Sequence, residues 1–342
     1  MDNITIKDIA KICGVGSATV SRALNNHPDI NPETKERIME VVNQYGFVPN
    51  NSARNLKITD SKTIAILVKG MTNPFFTKMI GIMEEKIQAK HYSLELRHVD
   101  EKNDEVEVAM ELIKEKKLCG IIFLGGLITH SSEKLEKLGV PFVLCTIPLT
   151  GGSDSGYSSV SVDDEAESYK IVDYLIKNGH KKIAFMGVDD QGISIGQLRL
   201  NGYKKALSDN GITPDPKLIW QSPETPDTYS MQNGYEMMRA ELKKKPDFTA
   251  MFAIADTMAI GAIKALREAG LNVPEDVSVV GYDGIDMGRF CYPTLTTITQ
   301  PFDEMAQKTC DILFDVIRHG AAHRKILMDA EITERESVKK IG

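Results

Sequence analysis

The sequence predicts a small all-α headpiece followed by a large α/β core of two doubly wound, parallel-sheet lobes. Three observations carry that expectation. Residues 4–25 hold two short apolar-periodic segments separated by Gly14-Val15-Gly16. From Thr63 onward, continuous apolar runs of strand length alternate with amphipathic helical stretches. At 342 residues the chain is long enough for two or three packed units.

The headpiece elements follow from side-chain periodicity. Ile6, Ile9 and Ala10 form one inward face; Val15, Val20 and Leu24 form a second. Ala10 is small, so a second helix can cross close over the first. Gly14 falls just past the end of the first helix, where a positive φ costs glycine little. Two short helices joined this way make a helix-turn-helix, whose second helix enters a DNA major groove. Asn31-Pro32-Glu33-Thr34 reads as a helix cap with proline at the first helical position. The helix it starts runs to about Tyr45 and closes a three-helix core with Ile38, Val41 and Val42, and Gly46 ends it. The segment from Asn51 to Leu56 is too brief to be a stable helix alone.

In the core, strands are expected at 63–68, 92–98, 120–124, 141–145, 182–186, 217–221, 249–253 and 277–281. Helices are expected near 75–90, 104–117, 131–138, 164–178, 196–210, 229–244, 256–270 and 303–319. Strands that are apolar throughout belong to parallel sheets covered on both faces. Any ligand cleft of such a fold lies outside the strand C-termini.

Charge and composition narrow the function classes. The chain carries a net charge of −7, all of it beyond residue 60, because residues 1–60 hold seven basic and seven acidic side chains. Bulk charge therefore cannot hold DNA. Affinity has to come from the placement of Lys7, Lys11, Arg22, Lys35, Arg54 and Lys57 against phosphates. The longest apolar runs are strand-sized, and the N-terminus has neither a basic nor an apolar leader region, so no membrane association is expected. Five scattered cysteines without a CxxC pair suit free thiols in a reducing cytoplasm, with Cys13 and Cys145 read as inert core residues.

Enzyme signals fail on inspection. Gly14-Val15-Gly16 follows a helix and lacks the third glycine of a dinucleotide fingerprint. No P-loop or HExxH string occurs. His319 and His323 have metal-compatible spacing, but Gly320 lies between them and no third ligand accompanies them, so they read as a solvated helix end. The loop at 192–196 could cradle an anion at a helix start, a weak signal. No catalytic residues, metal or cofactor are expected.

Within residues 4–25, IKDIAKICGV…ATVSRALN resembles the headpiece of the LacI/GalR family of bacterial transcription regulators, and YGFVPNNSARNLK (45–57) resembles its hinge. The resemblance extends over essentially the whole chain. It implies a helix-turn-helix headpiece at 1–49, a hinge helix and linker at 50–62, and a periplasmic-binding-protein-like core at 63–342. That core crosses between lobes near Asp163, near Pro293 and near residue 322. One lobe is then about 63–162 with 293–321, and the other about 163–292 with 322–342.

On that frame, Ser17 and Ala18 open the recognition helix, and Arg22, one turn on, can fork onto a guanine. Thr5, Thr19, Ser21, Asn25 and Lys57 are grouped with them as DNA contacts, chiefly to phosphate. Gly16 departs from the family, which commonly has a capping serine there. In the hinge, the resemblance makes Leu56 a minor-groove wedge, Ala53 the close-packing residue between paired helices, Asn50 a phosphate contact and Arg54 a further DNA contact.

For the cleft, Asn73 can cap a helix and face a ligand, while Phe75 and Phe76 can wall it or be simple core. Arg199 matches the family's Arg-x-x-Gly-aromatic motif and offers a fixed fork of donors. Asp256 and Asp283 follow strands at the expected cleft edge, Asp256 reading equally well as a helix cap. Tyr229 is a candidate for ring stacking. Thr146 stands where many relatives carry an acid or amide.

The function implied is a homodimeric repressor of carbohydrate-utilisation genes, bound to a pseudo-palindromic operator and controlled by a small sugar-like effector. The alternative is a global carbon-catabolite regulator controlled by a phosphorylated carrier protein.

Overall fold

The computed structural model describes residues 6–24, 30–45, 62–70, 73–100, 103–126, 132–147, 157–189, 194–223 and 228–341. Contacts divide the chain into two units, Met1–Lys57 and Ile58–Gly342.

In the first unit, helices α1 (Ile6–Ile12), α2 (Ser17–Leu24) and α3 (Pro32–Gln44) pack around Ile9, Ala10, Cys13, Val20, Ala23, Ile38 and Val42. Gly14 has φ +64°, and beyond it the Val15 N–H donates to the Ala10 carbonyl at 3.0 Å. The Gly16 carbonyl accepts from the N–H groups of Thr19 and Val20, so α2 starts from a cap position without a side chain. At α3 the Asn31 carboxamide oxygen accepts from Glu33 N–H at 2.9 Å, with Pro32 opening the helix. Ala23 joins this core although it lies outside the expected apolar face.

The second unit holds two six-stranded sheets. The first consists of β1 (Thr63–Lys69), β2 (Ser93–Val99), β3 (Leu118–Leu124), β4 (Phe142–Cys145), β5 (Ser158–Val162) and β11 (Lys325–Met328), in the order β11-β5-β4-β3-β1-β2. All its pairings are parallel. The second consists of β6 (Ile183–Asp189), β7 (Ile219–Pro223), β8 (Ala250–Ala253), β9 (Ser278–Asp283), β10 (Thr296–Thr299) and β12 (Glu331–Thr333), in the order β12-β10-β9-β8-β6-β7. Here only the edge strand β12 is antiparallel.

The helices are α4 (Pro74–Ala89), α5 (Glu105–Glu115), α6 (Ser132–Glu136), α7 (Asp164–Lys177), α8 (Ile195–Asp209), α9 (Met231–Leu242), α10 (Asp256–Glu268) and α11 (Phe302–His319). They explain the unbroken apolar strands. Along β1, Ile64, Ile66 and Val68 join one core cluster while Ala65 and Leu67 join another, one on each face of the sheet.

Four strands escaped the sequence reading: β5 (SSVSV), β10 (TTIT), β11 (KILM) and β12 (EIT). They are short, and two are rich in hydroxyl residues that are nonetheless buried because their hydrogen bonds are met. Ser158 Oγ accepts from Arg324 N–H at 3.1 Å, and Thr297 Oγ1 donates to Asp256 at 2.6 Å. These strands also move two expected crossings. Because β10 pairs with β9 in the second sheet, the chain leaves that sheet after Thr299 rather than near Pro293. Because β11 pairs with β5 in the first sheet, the return falls after Met328 rather than near residue 322.

Helix α11 ends at His319 with Gly320 at φ +58°, so His323 is not on the helix, and its ring faces Ser158 Oγ. Among the described residues no three His, Cys, Asp or Glu side chains are grouped to hold a metal, and no helix is long and apolar enough to cross a membrane. Cys145 and Cys310 are buried, which pushes both thiols up to about 12.

Candidate functional site

On the headpiece, α2 presents Ser17, Ser21 and Arg22 as exposed side chains, with Thr19 half-buried. These lie opposite Val20 and Ala23, which point into the core. Ala18 belongs to the same helix. Thr5, Asn25, Asn50, Ala53, Arg54, Leu56 and Lys57 lie outside the described residues.

In the second unit a cavity of about 100 Å³ sits at the C-terminal ends of both sheets. Asn73, Phe75, Phe76, Thr146, Arg199, Tyr229 and Asp283 line it, together with Lys69, Gly70, Gly125, Gly126, Asp164, Ser194, Ile195 and Gln300.

Each wall is built by a local rule. Asn73 caps α4 by accepting from Phe75 N–H at 3.0 Å, with Pro74 at the first helical position. That cap turns Phe75 and Phe76 toward the cavity, their ring centres 5.5 Å apart. Ser194 caps α8 through Gln197 N–H at 3.0 Å, which places Arg199 one turn inside the helix. Thr146 follows β4 with φ +65°, and its hydroxyl accepts from Gly125 N–H at 3.2 Å.

The polar centre is a buried charge cluster. Arg199 donates from Nε to Asp164 Oδ1 at 2.8 Å and from Nη1 to the Ile254 carbonyl at 2.5 Å. Its Nη1 lies 3.9 Å from Asp283 Oδ1, and its guanidinium carbon sits 3.6 Å from the centre of the Tyr282 ring. Burial works against the Arg199 charge, but Asp164, Tyr282 and Asp283 outweigh it and hold the guanidinium protonated.

Asp283, with φ +113°, ends β9. It accepts from Gln300 Nε2 at 2.8 Å and from Asn73 Nδ2 at 2.9 Å. The second bond spans the cleft, because α4 packs on the first sheet and β9 belongs to the second. Burial pushes the Asp283 carboxyl up to about 6, with Arg199, Asn73 and Gln300 pulling it back.

Asp256 is placed differently from expectation. It does not line the cavity and is not the cap of α10, a position held by Ala255. Its carboxylate accepts from Gly284 N–H at 2.9 Å, Ile285 N–H at 2.8 Å and the Thr297 hydroxyl. It therefore braces the turn that follows Asp283 and ties it to β10. A helix-opening aspartate carries the same sequence signal whether it caps, braces or binds; only the fold separates these uses. Burial and the neighbouring Asp283 push Asp256 up to about 8.

The sequence reading also missed wall residues. Lys69 looks like the polar end of an apolar strand. In the fold its Nζ donates to the Asn103 carbonyl at 3.1 Å and lies 3.6 Å from Glu105, both side chains buried. Asp164 stands in the acidic run Asp163-Asp164-Glu165, which carries no signal of its own for a cavity wall, and Gln300 has none beyond preceding Pro301.

Two family models match: bacterial regulatory proteins of the lacI family over residues 5–50, and the periplasmic binding protein-like domain over 172–338. The HTH-type transcriptional regulator MalR of Clostridium butyricum is 40% identical over 338 residues, covering 98% of this chain and 99% of its own. The solved transcriptional regulator CelR–cellobiose complex matches with a TM-score of 0.71 at 27% identity, covering 98% of this chain and 99% of that one. A LacI family regulator from Enterococcus faecium, solved with bound ribose, matches with a TM-score of 0.70 at 29% identity, covering 82% of this chain and 100% of that one. With a three-helix headpiece, a two-sheet core and near full-length identity at that level, the chain belongs to the LacI family of bacterial regulatory proteins and is a DNA-binding transcriptional regulator.

Proposed function

We propose that this chain is a cytoplasmic, non-enzymatic repressor whose grip on a pseudo-palindromic operator is set by a sugar-like effector in the cleft. One observation carries the reading: a cavity walled by Phe75 and Phe76 on one side and by the Arg199–Asp164–Asp283 cluster on the other. A sugar presents hydroxyls that both donate and accept, together with an apolar ring face. Asp164 and Asp283 accept, Arg199 and Asn73 donate, and the aromatic rings cover the apolar face. The CelR structure with cellobiose and the Enterococcus faecium structure with ribose support a carbohydrate effector.

The cavity is well below the roughly 300 Å³ at which ligand pockets usually begin. The lobes must part to admit an effector, which then takes over hydrogen bonds now made by Asn73 and Asp283 to each other. A change in lobe angle is what such a switch transmits to DNA binding. For the DNA side, Ser17, Ala18 and Arg22 reach base edges, and Thr5, Thr19, Ser21, Asn25, Asn50, Ala53, Arg54, Leu56 and Lys57 supply the remaining contacts. A second copy of the chain completes the reader. Met287, Phe290 and Tyr292 lie on one short segment at 42, 82 and 74% exposure, an apolar face suited to burial in a homodimer.

Calorimetric titration with a panel of mono- and disaccharides tests the effector reading. Saturable heat from one sugar is expected, and it should be lost in Arg199→Lys, which keeps the charge but not the fork. Unchanged affinity in that variant would remove Arg199 from the site.

A further inference from the structure

Resting on the sugar-cleft reading, we infer that this cleft selects an uncharged effector and rejects the phosphorylated or carboxylated form of the same sugar. The inference comes from a charge count at the cavity wall. Among the described lining residues the cations are Lys69 and Arg199, and the carboxylates are Asp164 and Asp283. Glu105 stands directly behind Lys69, at 3.6 Å. The wall and its immediate backing thus carry three carboxylates against two cations. Asp256, behind Asp283 and fixed on Gly284 and Ile285, is pushed up to about 8 and so adds no full charge to that count near neutral pH.

Both cations are already committed. Arg199 is engaged by Asp164 along one edge and lies 3.9 Å from Asp283. Lys69 is turned onto Glu105 and the Asn103 carbonyl. The three helix starts bordering the cavity each use a first-turn N–H on their own cap: Phe75 N–H on Asn73, Ala166 N–H on Asp163 and Gln197 N–H on Ser194. A phosphate recognised by a helix start would have to compete for those groups.

A dianionic phosphoryl group entering this cleft meets net negative charge in a low-dielectric setting, with no uncommitted cation among the described residues to receive it. Neutral hydroxyls meet acceptors and donors without that repulsion.

The test is calorimetry on the full chain with matched pairs: ribose and ribose 5-phosphate, glucose and glucose 6-phosphate, cellobiose and cellobiose 6-phosphate. A neutral member should bind, and its phosphate should bind roughly tenfold or more weakly. Glu105→Gln, which leaves Lys69 with uncompensated charge, should narrow that ratio, with a melting curve showing that the variant is folded. A phosphate ester binding as tightly as its parent overturns the inference while leaving the sugar-cleft reading intact. A folded Glu105→Gln protein with an unchanged ratio overturns the charge account. Silence from every sugar and phosphate overturns this inference and the sugar-cleft reading together.

Discussion

Replacing Asn73 tests whether the two lobes are latched through one side chain. The Asn73 carboxamide does two things at once. Its oxygen accepts from Phe75 N–H at 3.0 Å, and its nitrogen donates to Asp283 Oδ2 at 2.9 Å across the cleft. A helix cap contributes about 1 kcal/mol. A buried hydrogen bond to an ionised group contributes about 1.5–3 kcal/mol. Asn73→Ala removes both, for a loss of about 2.5–4 kcal/mol.

Asn73→Ser keeps an oxygen for the cap but cannot reach Asp283, and should lose only the cross-cleft share. Asp283 keeps Gln300 and Arg199 as partners, so that share should fall toward its lower end. Urea unfolding at pH 7.5, followed by the fluorescence of Trp220, reads the core directly, because Trp220 is the chain's one tryptophan and is buried there. A double-mutant cycle with Asp283→Asn isolates the pair term. If Asn73→Ser matched the unmodified chain and Asn73→Ala lost only the cap's share, Asn73 would be a cap and nothing more, and the latch would be refuted.

Other outcomes follow from the same contacts. Asp256 and Asp283 titrate in the folded chain near 8 and 6, above the ordinary value of 3.8. Each holds its proton longer folded than unfolded, so their contribution to stability is full below about pH 4 and is lost as pH rises through the folded value. Asp256→Asn should therefore flatten the decline in melting temperature between pH 6 and 8; an equal slope in both proteins would contradict this. Effector affinity should fall as pH drops below about 6, where Asp283 becomes protonated and one cleft acceptor is lost, measurable by titration across pH. Gly202→Ala would put a methyl 2.2 Å from the Glu165 carbonyl oxygen, where α8 meets α7, and should cost about 2 kcal/mol or more in denaturant unfolding. Arg22→Ala should weaken operator binding by about 1–3 kcal/mol and relax selectivity at one base position, read by anisotropy on single-base operator variants.

The headpiece was largely legible because its signals are local. Glycine at the turn, Asn31-Pro32 at the third helix and the apolar periodicity each act within a few residues. The long apolar strands were legible for the same reason: β1 and β3 are buried on both faces and look it. The short hydroxyl-rich strands were not, because their burial depends on partners far along the chain, such as Arg324 for Ser158 and Ser337 for Thr296. Two of the three expected crossings, near Pro293 and near residue 322, were misplaced with them. In the cleft, Asn73 and Arg199 were visible through a cap and a motif. Lys69 was invisible, since nothing local marks a lysine at a strand end that will turn onto Glu105, 36 residues later. Asp256 shows the opposite failure, a residue of the right type in the right place whose oxygens are spent on the backbone of Gly284 and Ile285 and on the Thr297 hydroxyl.

The central claim is that a ligand in the cleft changes the affinity of the headpiece for DNA. The direct measurement takes an operator selected from a random duplex pool and the sugar identified by calorimetry. Operator affinity is then measured by anisotropy at fixed salt, with and without saturating sugar. The account predicts a change of about 5- to 150-fold, matched by the same change in sugar affinity when operator is bound. An operator affinity that the bound sugar leaves untouched would contradict it.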